Sequence, residues 1–103
     1  MKTGVELIAA ERERQVSQEH WTAEHDDEHE YGELAIAGAC YALPRDMRQK
    51  EIWNSTLVRM LWPFDDEWWK PREGRGTSGR IRELVKAGAL IAAEIDRIQR
   101  QQK

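Results

Sequence analysis

A glycine-rich segment with many basic neighbours is the first place in this sequence where chemistry could occur. Residues 74–79 read G-R-G-T-S-G and directly precede the last predicted helix. The free N–H groups and positive dipole end of a helix start favour an anion, and guanidinium groups bind phosphate bidentately. The pattern predicts phosphate binding, although a solvated glycine-rich loop is the alternative. The candidate ligand residues are Lys70, Arg72, Arg75, Arg80 and Arg82.

The same glycines match the spacing G-x-G-x-x-G of dinucleotide-binding proteins, but the context excludes that interpretation. No strand pattern precedes them, and only 24 residues follow Gly79. A βαβ unit needs more chain than that, including an acidic residue that binds the ribose.

Aromatic residues stand just before the basic segment. Trp62, Phe64, Trp68 and Trp69 are among them, and the chain has five tryptophans in all. An indole beside arginines suits a nucleotide, because the ring stacks on the base while the guanidinium binds the phosphate. We expect Trp68 or Trp69 to stack on a ligand. For Trp62 and Phe64 we favour burial against the core.

Histidines and carboxylates occur together in an acidic segment from Glu19 to Glu33, which contains no lysine or arginine. On a helix, His25 and His29 would lie one turn apart and could chelate a transition metal. The carboxylates that could complete this site, or form a Mg²⁺ site themselves, are Asp27, Glu30 and Glu33. The alternative is a solvated helix start, where acidic residues are favourable.

Composition limits the classes of protein that this chain can be. It has 103 residues, a mass of 12.1 kDa, a net charge of −3 and one cysteine. We therefore expect one domain over residues 1–103, no disulfide framework and no dedicated nucleic-acid binder. No apolar run reaches membrane-spanning length and no signal sequence is present, so we expect a cytoplasmic protein without membrane contact.

The hydrophobic pattern predicts an all-α fold, a bundle of three to five helices. We expect a first helix over residues 4–19, a buried helix over 34–43, and one or two short helices within 46–61. A long loop rich in Trp, Arg and Gly follows over 62–78, and the last helix runs from Gly79 to about Arg100.

The ends and faces of two helices can be predicted in more detail. Thr3 and Glu6 have the spacing of a capping box at the first helix. An apolar stripe on that helix would contain Val5, Ile8 and Val16. In the second long helix, small residues such as Gly38 would allow close helix packing. Because so polar a chain buries little apolar surface alone, we also expect a homo-oligomer.

Several segments resemble a group of small proteins encoded by tailed phages and prophages. The matching segments are ERERQ at 11–15, HDDEH at 25–29, GEL at 32–34, WP at 62–63, WWKP at 68–71 and LVKAGALI at 84–91. The resemblance implies a phage accessory protein that acts in the host cytoplasm, and it implies no reaction. Sequestration of a host nucleotide signal, including an immune messenger, would fit such a gene.

A remoter similarity is to the MazG-type all-α nucleoside triphosphate pyrophosphohydrolases, which hold Mg²⁺ with an EExxE and an ExxD segment. The nearest counterpart of the second segment here is Glu83 to Lys86, with lysine in place of the aspartate. This similarity implies, as an alternative function, Mg²⁺-dependent hydrolysis with Asp27, Glu30, Glu33 and Glu83 as ligands. A third possibility is inhibition of a host enzyme through the acidic surface.

From the residues together we predict a non-catalytic protein that needs no cofactor and binds a phosphate-bearing small molecule. A nucleotide is the expected ligand class, because indoles and guanidinium groups are adjacent in the sequence. No arrangement of Ser, Cys and His indicates a nucleophilic catalyst.

Overall fold

The computed structural model describes residues 1–72 and 76–102, and these ranges are mainly helical. The helices are α1 (Gly4–Ser17), α2 (Ala23–Asp27), α3 (Glu33–Ala42), α4 (Arg45–Arg48), α5 (Leu57–Leu61) and α6 (Gly76–Gln101). A short antiparallel hairpin of β1 (Glu51–Ile52) and β2 (Ser55–Thr56) separates α4 from α5, and a 3₁₀ turn covers Asp66–Trp68. The mainly helical character that the sequence predicts is confirmed. The predicted number of three to five helices is wrong, because the described residues form six, among them the short α2, and the two-stranded hairpin is an addition. Within the described residues, no helix combines the length and apolarity needed to cross a membrane.

Helix α1 begins at the predicted capping box. The backbone N–H of Glu6 donates to Thr3 Oγ1 at 3.3 Å, and the Thr3 N–H donates to Glu6 Oε1 at 2.9 Å. The predicted apolar stripe is wrong, because Val5 and Val16 are exposed while Glu11 and Gln15 are buried. Glu11 can be buried because two guanidinium groups neutralise its carboxylate.

Helix α3 matches the prediction for residues 34–43, and it ends just before Pro44. Its Gly38 lies against α6: a Cβ at this position would be 3.2 Å from both the Ala87 carbonyl oxygen and Ile91 Cγ1. The small residue therefore permits close packing within the chain. The prediction of burial on most sides is only partly right, since Ile36 and Ala39 are exposed.

The hairpin between α4 and α5 lies where short helices were expected. Its two-residue turn consists of Trp53 and Asn54, with φ angles of 49° and 66°. Two-residue hairpin turns require this left-handed conformation. Strands of two residues are too short for an alternating pattern, so the sequence contains no signal for them.

Helix α6 is the longest element and packs against α1, α2 and α3. It begins at Gly76, three residues before the predicted start at Gly79, and reaches Gln101. The core that it forms with α3 consists of Leu34, Ala37, Tyr41, Ala87, Leu90 and Ala93. Trp62 and Phe64 pack against this core, which confirms the burial predicted for them. Trp21 and Trp69 pack against it as well.

A buried carboxylate joins α4, α6 and the segment before α6. Glu83 is fully buried, and its Oε2 accepts hydrogen bonds from Arg48 Nη2 and from the backbone N–H of Arg72, both at 2.7 Å. Its Oε1 accepts weaker bonds from Arg45 Nε at 3.4 Å and Arg80 Nη1 at 3.3 Å. Burial alone would raise the pKa of Glu83, but these donors outweigh it and hold the pKa below its ordinary value.

Arg80 extends this network to the end of α3. Its Nη1 donates to the carbonyls of Tyr41 and Leu43, both at 3.0 Å, and its Nη2 donates to Ala42 O at 2.5 Å. These are among the carbonyls that a helix C-terminus leaves without intrahelical partners. A cation there also complements the negative dipole end. Arg80 therefore fixes α3 relative to α6.

Replacing Glu83 tests this network. Glu83→Gln removes the negative charge that lies 2.7 Å from the fully buried Arg48 guanidinium, so we expect the free energy of unfolding to fall by about 3–5 kcal/mol. Urea denaturation followed by circular dichroism measures it. Glu67→Gln, at an exposed position, is the matched control and should change little. A loss below about 1 kcal/mol for Glu83→Gln would show that the network is not a major source of stability.

Candidate ligand-binding cavity

A cavity of about 370 Å³ opens between α2, α3, α6 and the segment that follows α5. This volume falls within the range of small-molecule sites, which are mostly apolar with a few polar groups. The ring-bearing residues that line it are Trp21, His25, His29, Tyr41, Trp62, Phe64 and Trp68. The remaining lining residues are Ala37, Pro63, Asp65 and Leu90.

Most of the ring-bearing residues form a continuous chain of contacts. Trp21 stacks on His25 with a centroid distance of 6.0 Å and an interplanar angle of 4°. His29 lies edge-on to His25 and also to Phe64, both at 5.0 Å. The chain continues through Trp62 to Tyr41, at 5.7 and 5.8 Å. The cavity is therefore walled by rings that support one another.

Local hydrogen bonds place Trp21 and the two histidines. The backbone N–H of Trp21 donates to Gln15 O at 3.0 Å. The preceding residue, His20, has a φ of 60° and turns the chain away from α1. His25 Nδ1 lies 3.3 Å from a carboxylate oxygen of Asp26, and His29 Nδ1 lies 3.5 Å from one of Glu33. A carboxylate at one ring nitrogen fixes the orientation of an imidazole.

A narrow cleft adjoins the cavity and shares part of its wall. Trp21, Tyr41, Trp68 and Leu90 line both spaces. The charged residues of the cleft are Glu11, Arg14, Glu19, Lys70 and Lys86.

Ion pairs neutralise the two acids of this cleft. Arg14 binds Glu11 at 2.8 Å and Glu19 at 3.0 Å, and Arg82 binds Glu11 at 2.7 Å. Burial would raise the pKa of Glu11, but the hydrogen bonds from both arginines lower it further than burial raises it. Both acids thus already have arginine partners. The positive charges of Lys70 and Lys86 stand beside the aromatic cavity.

Lys86 is a buried cation without a carboxylate partner in the described chain. Its Nζ donates to the Lys70 carbonyl at 3.3 Å and lies 5.4 Å from the centroid of the Tyr41 ring. Burial, with the nearby charges of Arg82 and Arg72, lowers the pKa of Lys86 to about 8. A cation kept in so unfavourable a position beside a cleft marks a candidate binding group.

The tryptophan pair at 68–69 is divided between two environments. Trp68 lines both the cavity and the cleft, and Lys70 Nζ lies 5.5 Å from its ring centroid. Trp69 instead packs between Tyr41 and Trp62, at 4.7 and 4.9 Å. Of the two predicted stacking residues, Trp68 is the one at the cavity.

The predicted arginines do not gather at one point. Arg80 binds Glu83 and the end of α3, while Arg82 binds Glu11. The Arg72 N–H also donates to Glu83. Arg75 lies outside the described residues. Among the described residues, Lys70 is thus the one predicted cation that lies beside the aromatic cavity.

The predicted metal ligands are only partly brought together. His25, His29 and Glu33 are neighbours, but Asp27 pairs with Arg100 at 2.7 Å and Glu30 is exposed. Among residues 1–72 and 76–102, no group of three or more His, Cys, Asp or Glu side chains is arranged to hold a metal ion. A metal at this cluster stays a prediction.

The four carboxylates of the predicted Mg²⁺ site are not brought together. Asp27 pairs with Arg100 on α6, whereas Glu83 lies 17 residues before Arg100 on the same helix, which corresponds to a rise of about 25 Å. Glu83 is also enclosed by arginines. The geometry therefore gives no support to a site made of Asp27, Glu30, Glu33 and Glu83.

Sequence reasoning missed three residues of the site: Trp21, Tyr41 and Lys86. Trp21 is isolated in an acidic segment, and Tyr41 looks like any core residue of an apolar helix. Lys86 did carry a signal, because its position in α6 is on the same side as Leu90 and Ala93. A lysine on the core side of an amphipathic helix is unusual.

Comparison with known proteins adds no assignment to this geometry. Neither family models, nor curated proteins, nor solved structures give a match to the chain. The resemblance to phage accessory proteins thus stays a prediction, and the function has to be argued from the cavity.

Replacing Lys86 tests its environment. Its folded-state pKa of about 8 is below the ordinary value of 10.5, so the folded protein takes up this proton less readily than the unfolded chain. The charge lowers the free energy of unfolding below pH 8, and the penalty disappears as the pH rises from about 8 to 10.5. Lys86→Met should raise the free energy of unfolding at pH 7 by about 1–3 kcal/mol, and this gain should shrink towards pH 10.5.

Chemical denaturation at a series of pH values measures this difference. Lys50→Met is the matched control because Lys50 is exposed, and its effect should be small at every pH. A Lys86→Met protein that is no more stable than wild type at pH 7 would contradict the burial of an unpaired ammonium.

Proposed function

We propose that this protein binds a phosphate-bearing small molecule that contains an aromatic ring, with a nucleotide as the leading class. The ring would lie in the aromatic cavity and the phosphate would lie at the adjoining cleft, near Lys70 and Lys86. The observation that carries the proposal is that the ring-lined cavity shares a wall with a cleft containing the buried Lys86 ammonium, which has no carboxylate partner among the described residues.

The walls of the cavity suit a planar ligand. Aromatic side chains bind a nucleobase by stacking, which contributes about 1–3 kcal/mol per base. Trp68 is the best-placed stacking residue because it is partly exposed and belongs to both spaces. The histidines can donate or accept a hydrogen bond at the nitrogen that faces away from the carboxylate.

The cleft suits an anion. Arg14, the arginine that lines the cleft, already binds Glu11 and Glu19, whereas the Lys86 ammonium has a carbonyl acceptor and a ring beside it. A bound phosphate would supply the missing negative charge. It would also offset the cost of burying the ammonium, which gives binding a favourable contribution that exposed lysines do not have.

The proposed ligand class is the one predicted from sequence. Trp68 and Lys70 stay in the proposed site, whereas Lys86 takes the place of the predicted arginines. Arg80 and Arg82 hold the fold together, so their removal should act mainly on stability. Sequestration of a nucleotide signal stays a prediction. It would use the same site and would require that the site bind one nucleotide tightly.

Calorimetric titration against a panel of mono-, di- and cyclic nucleotides tests the proposal. We expect at least one ligand to bind, and Trp68→Ala to weaken that binding about 5- to 150-fold through loss of stacking. Trp53→Ala is the matched control, because Trp53 is 90% exposed on the hairpin and should leave affinity unchanged. A folded wild-type protein that binds no member of the panel would remove the proposal.

The affinity should depend on pH because of Lys86. Below pH 8 the ammonium is charged and can pair with phosphate, whereas above pH 8 the free protein must first take up a proton. Affinity should therefore fall as the pH rises from about 8 to 10, with proton uptake on binding visible in buffers of different ionisation enthalpy. Lys86→Met should bind weakly and lose this dependence. An affinity that is constant between pH 7 and 10 would show that Lys86 does not contact the ligand.

A further inference from the structure

Helix α6 has an apolar stripe on its solvent-facing side. The stripe consists of Ile81, Leu84, Gly88, Ile91, Ile95 and Ile98, and the steps between them alternate between three and four residues. At 3.6 residues per turn, these positions occupy a sector of about 100°. The five large side chains of the stripe are 41–51% exposed. This spacing is the a/d pattern of helices that pair along their length.

Four charged residues of α6 are on the opposite side, inside the protein. Glu83, Lys86, Glu94 and Arg97 are buried. A surface helix of a monomeric protein normally has the reverse arrangement, with its apolar side inward. The isoleucines of α6 therefore require a partner that the single chain does not provide.

The neighbouring helices widen this apolar face. On one side, Ile8 of α1 reaches Gly88, where an added Cβ would be 2.5 Å from Ile8 Cδ1. On the other side, α3 contributes Ile36, which is 37% exposed, and the exposed Ala39. The apolar face, as we call it below, comprises the α6 stripe with these residues of α1 and α3.

The estimated size of the apolar face reaches the threshold for a biological interface. The stripe covers about 26 Å of helix, and packed helix axes lie about 8–10 Å apart. A face about 26 Å long and about 20 Å wide has roughly 500 Å² in one copy. Two such faces would bury about 1,000 Å², which reaches the lower bound for specific interfaces.

We propose that the occupant of the apolar face is a second copy of this chain, so that the protein is a homodimer. A two-fold interface places the same patch on both subunits, and a face without charged residues in its central sector meets an identical face without repulsion. The alternating three- and four-residue spacing is self-complementary, because side chains of one helix fit between those of the other. A charged partner would find no opposite charge along the stripe.

Sedimentation velocity of the full chain tests this proposal. We expect wild type to be a dimer at about 100 µM and Ile95→Glu to be a monomer with an unchanged helical circular dichroism spectrum. The substitution should not unfold the single chain, because Ile95 is already 51% exposed in it. Trp53→Glu, which alters an exposed apolar residue away from the face, is the matched control and should stay dimeric.

A folded wild-type protein that is monomeric at this concentration would overturn the proposal and leave the face to a different partner. A dimer that persists in Ile95→Glu would place the interface elsewhere and would also overturn it. Should Ile95→Glu fail to fold, Ile98→Lys near the end of α6 decides by the same criterion. Ligand binding by the cavity is measured separately, so the two proposals can fail independently.

Discussion

The fold depends on the neutralisation of one buried carboxylate. Glu83 has no contact with solvent, and its two oxygens accept hydrogen bonds from α4, from α6 and from the backbone just before α6. A buried charge is tolerated only when partners replace the lost hydration. Arg80 links the same carboxylate to the last carbonyls of α3. Glu83 thereby links α4 and α6 to the segment before α6, and through Arg80 it also links them to α3.

The polar interior and the apolar exterior of α6 are two results of the same arrangement. Glu83, Lys86, Glu94 and Arg97 occupy the inner side, where a monomer would place isoleucines. Their ion pairs and hydrogen bonds satisfy most of that side, and Lys86 is left beside the cleft. The isoleucines are displaced to the outer side. A ligand near Lys86 and a second copy on the outer side would complete the two surfaces that the single chain leaves unsatisfied.

The helices could be predicted from sequence wherever a local rule decided them. The capping box at Thr3 and Glu6 and the stop at Pro44 were sufficient for α1 and α3. The orientation of helices could not be predicted, because periodicity assumes that charges face solvent. Glu11 and Glu83 are instead buried, each with one arginine partner from its own helix and at least one that is distant in sequence. For the candidate site, the sequence neighbours of Trp68 and Lys70 were enough to single these two residues out, and the structure places both at the cleft. Trp21, Tyr41 and Lys86 meet only through the tertiary fold.

The close approach at Gly38 determines which wall of the cavity can yield. The backbone of α3 packs closely against α6 at Gly38, where an added Cβ would be 3.2 Å from the Ala87 carbonyl oxygen, so the wall that carries Tyr41 has little free space behind it. The facing wall is a short irregular segment that has one internal hydrogen bond, from Trp62 Nε1 to Asp65 O, and one to α3, from the Lys70 N–H to the Tyr41 hydroxyl. We therefore expect the cavity to admit a ligand through displacement of this segment rather than of α3.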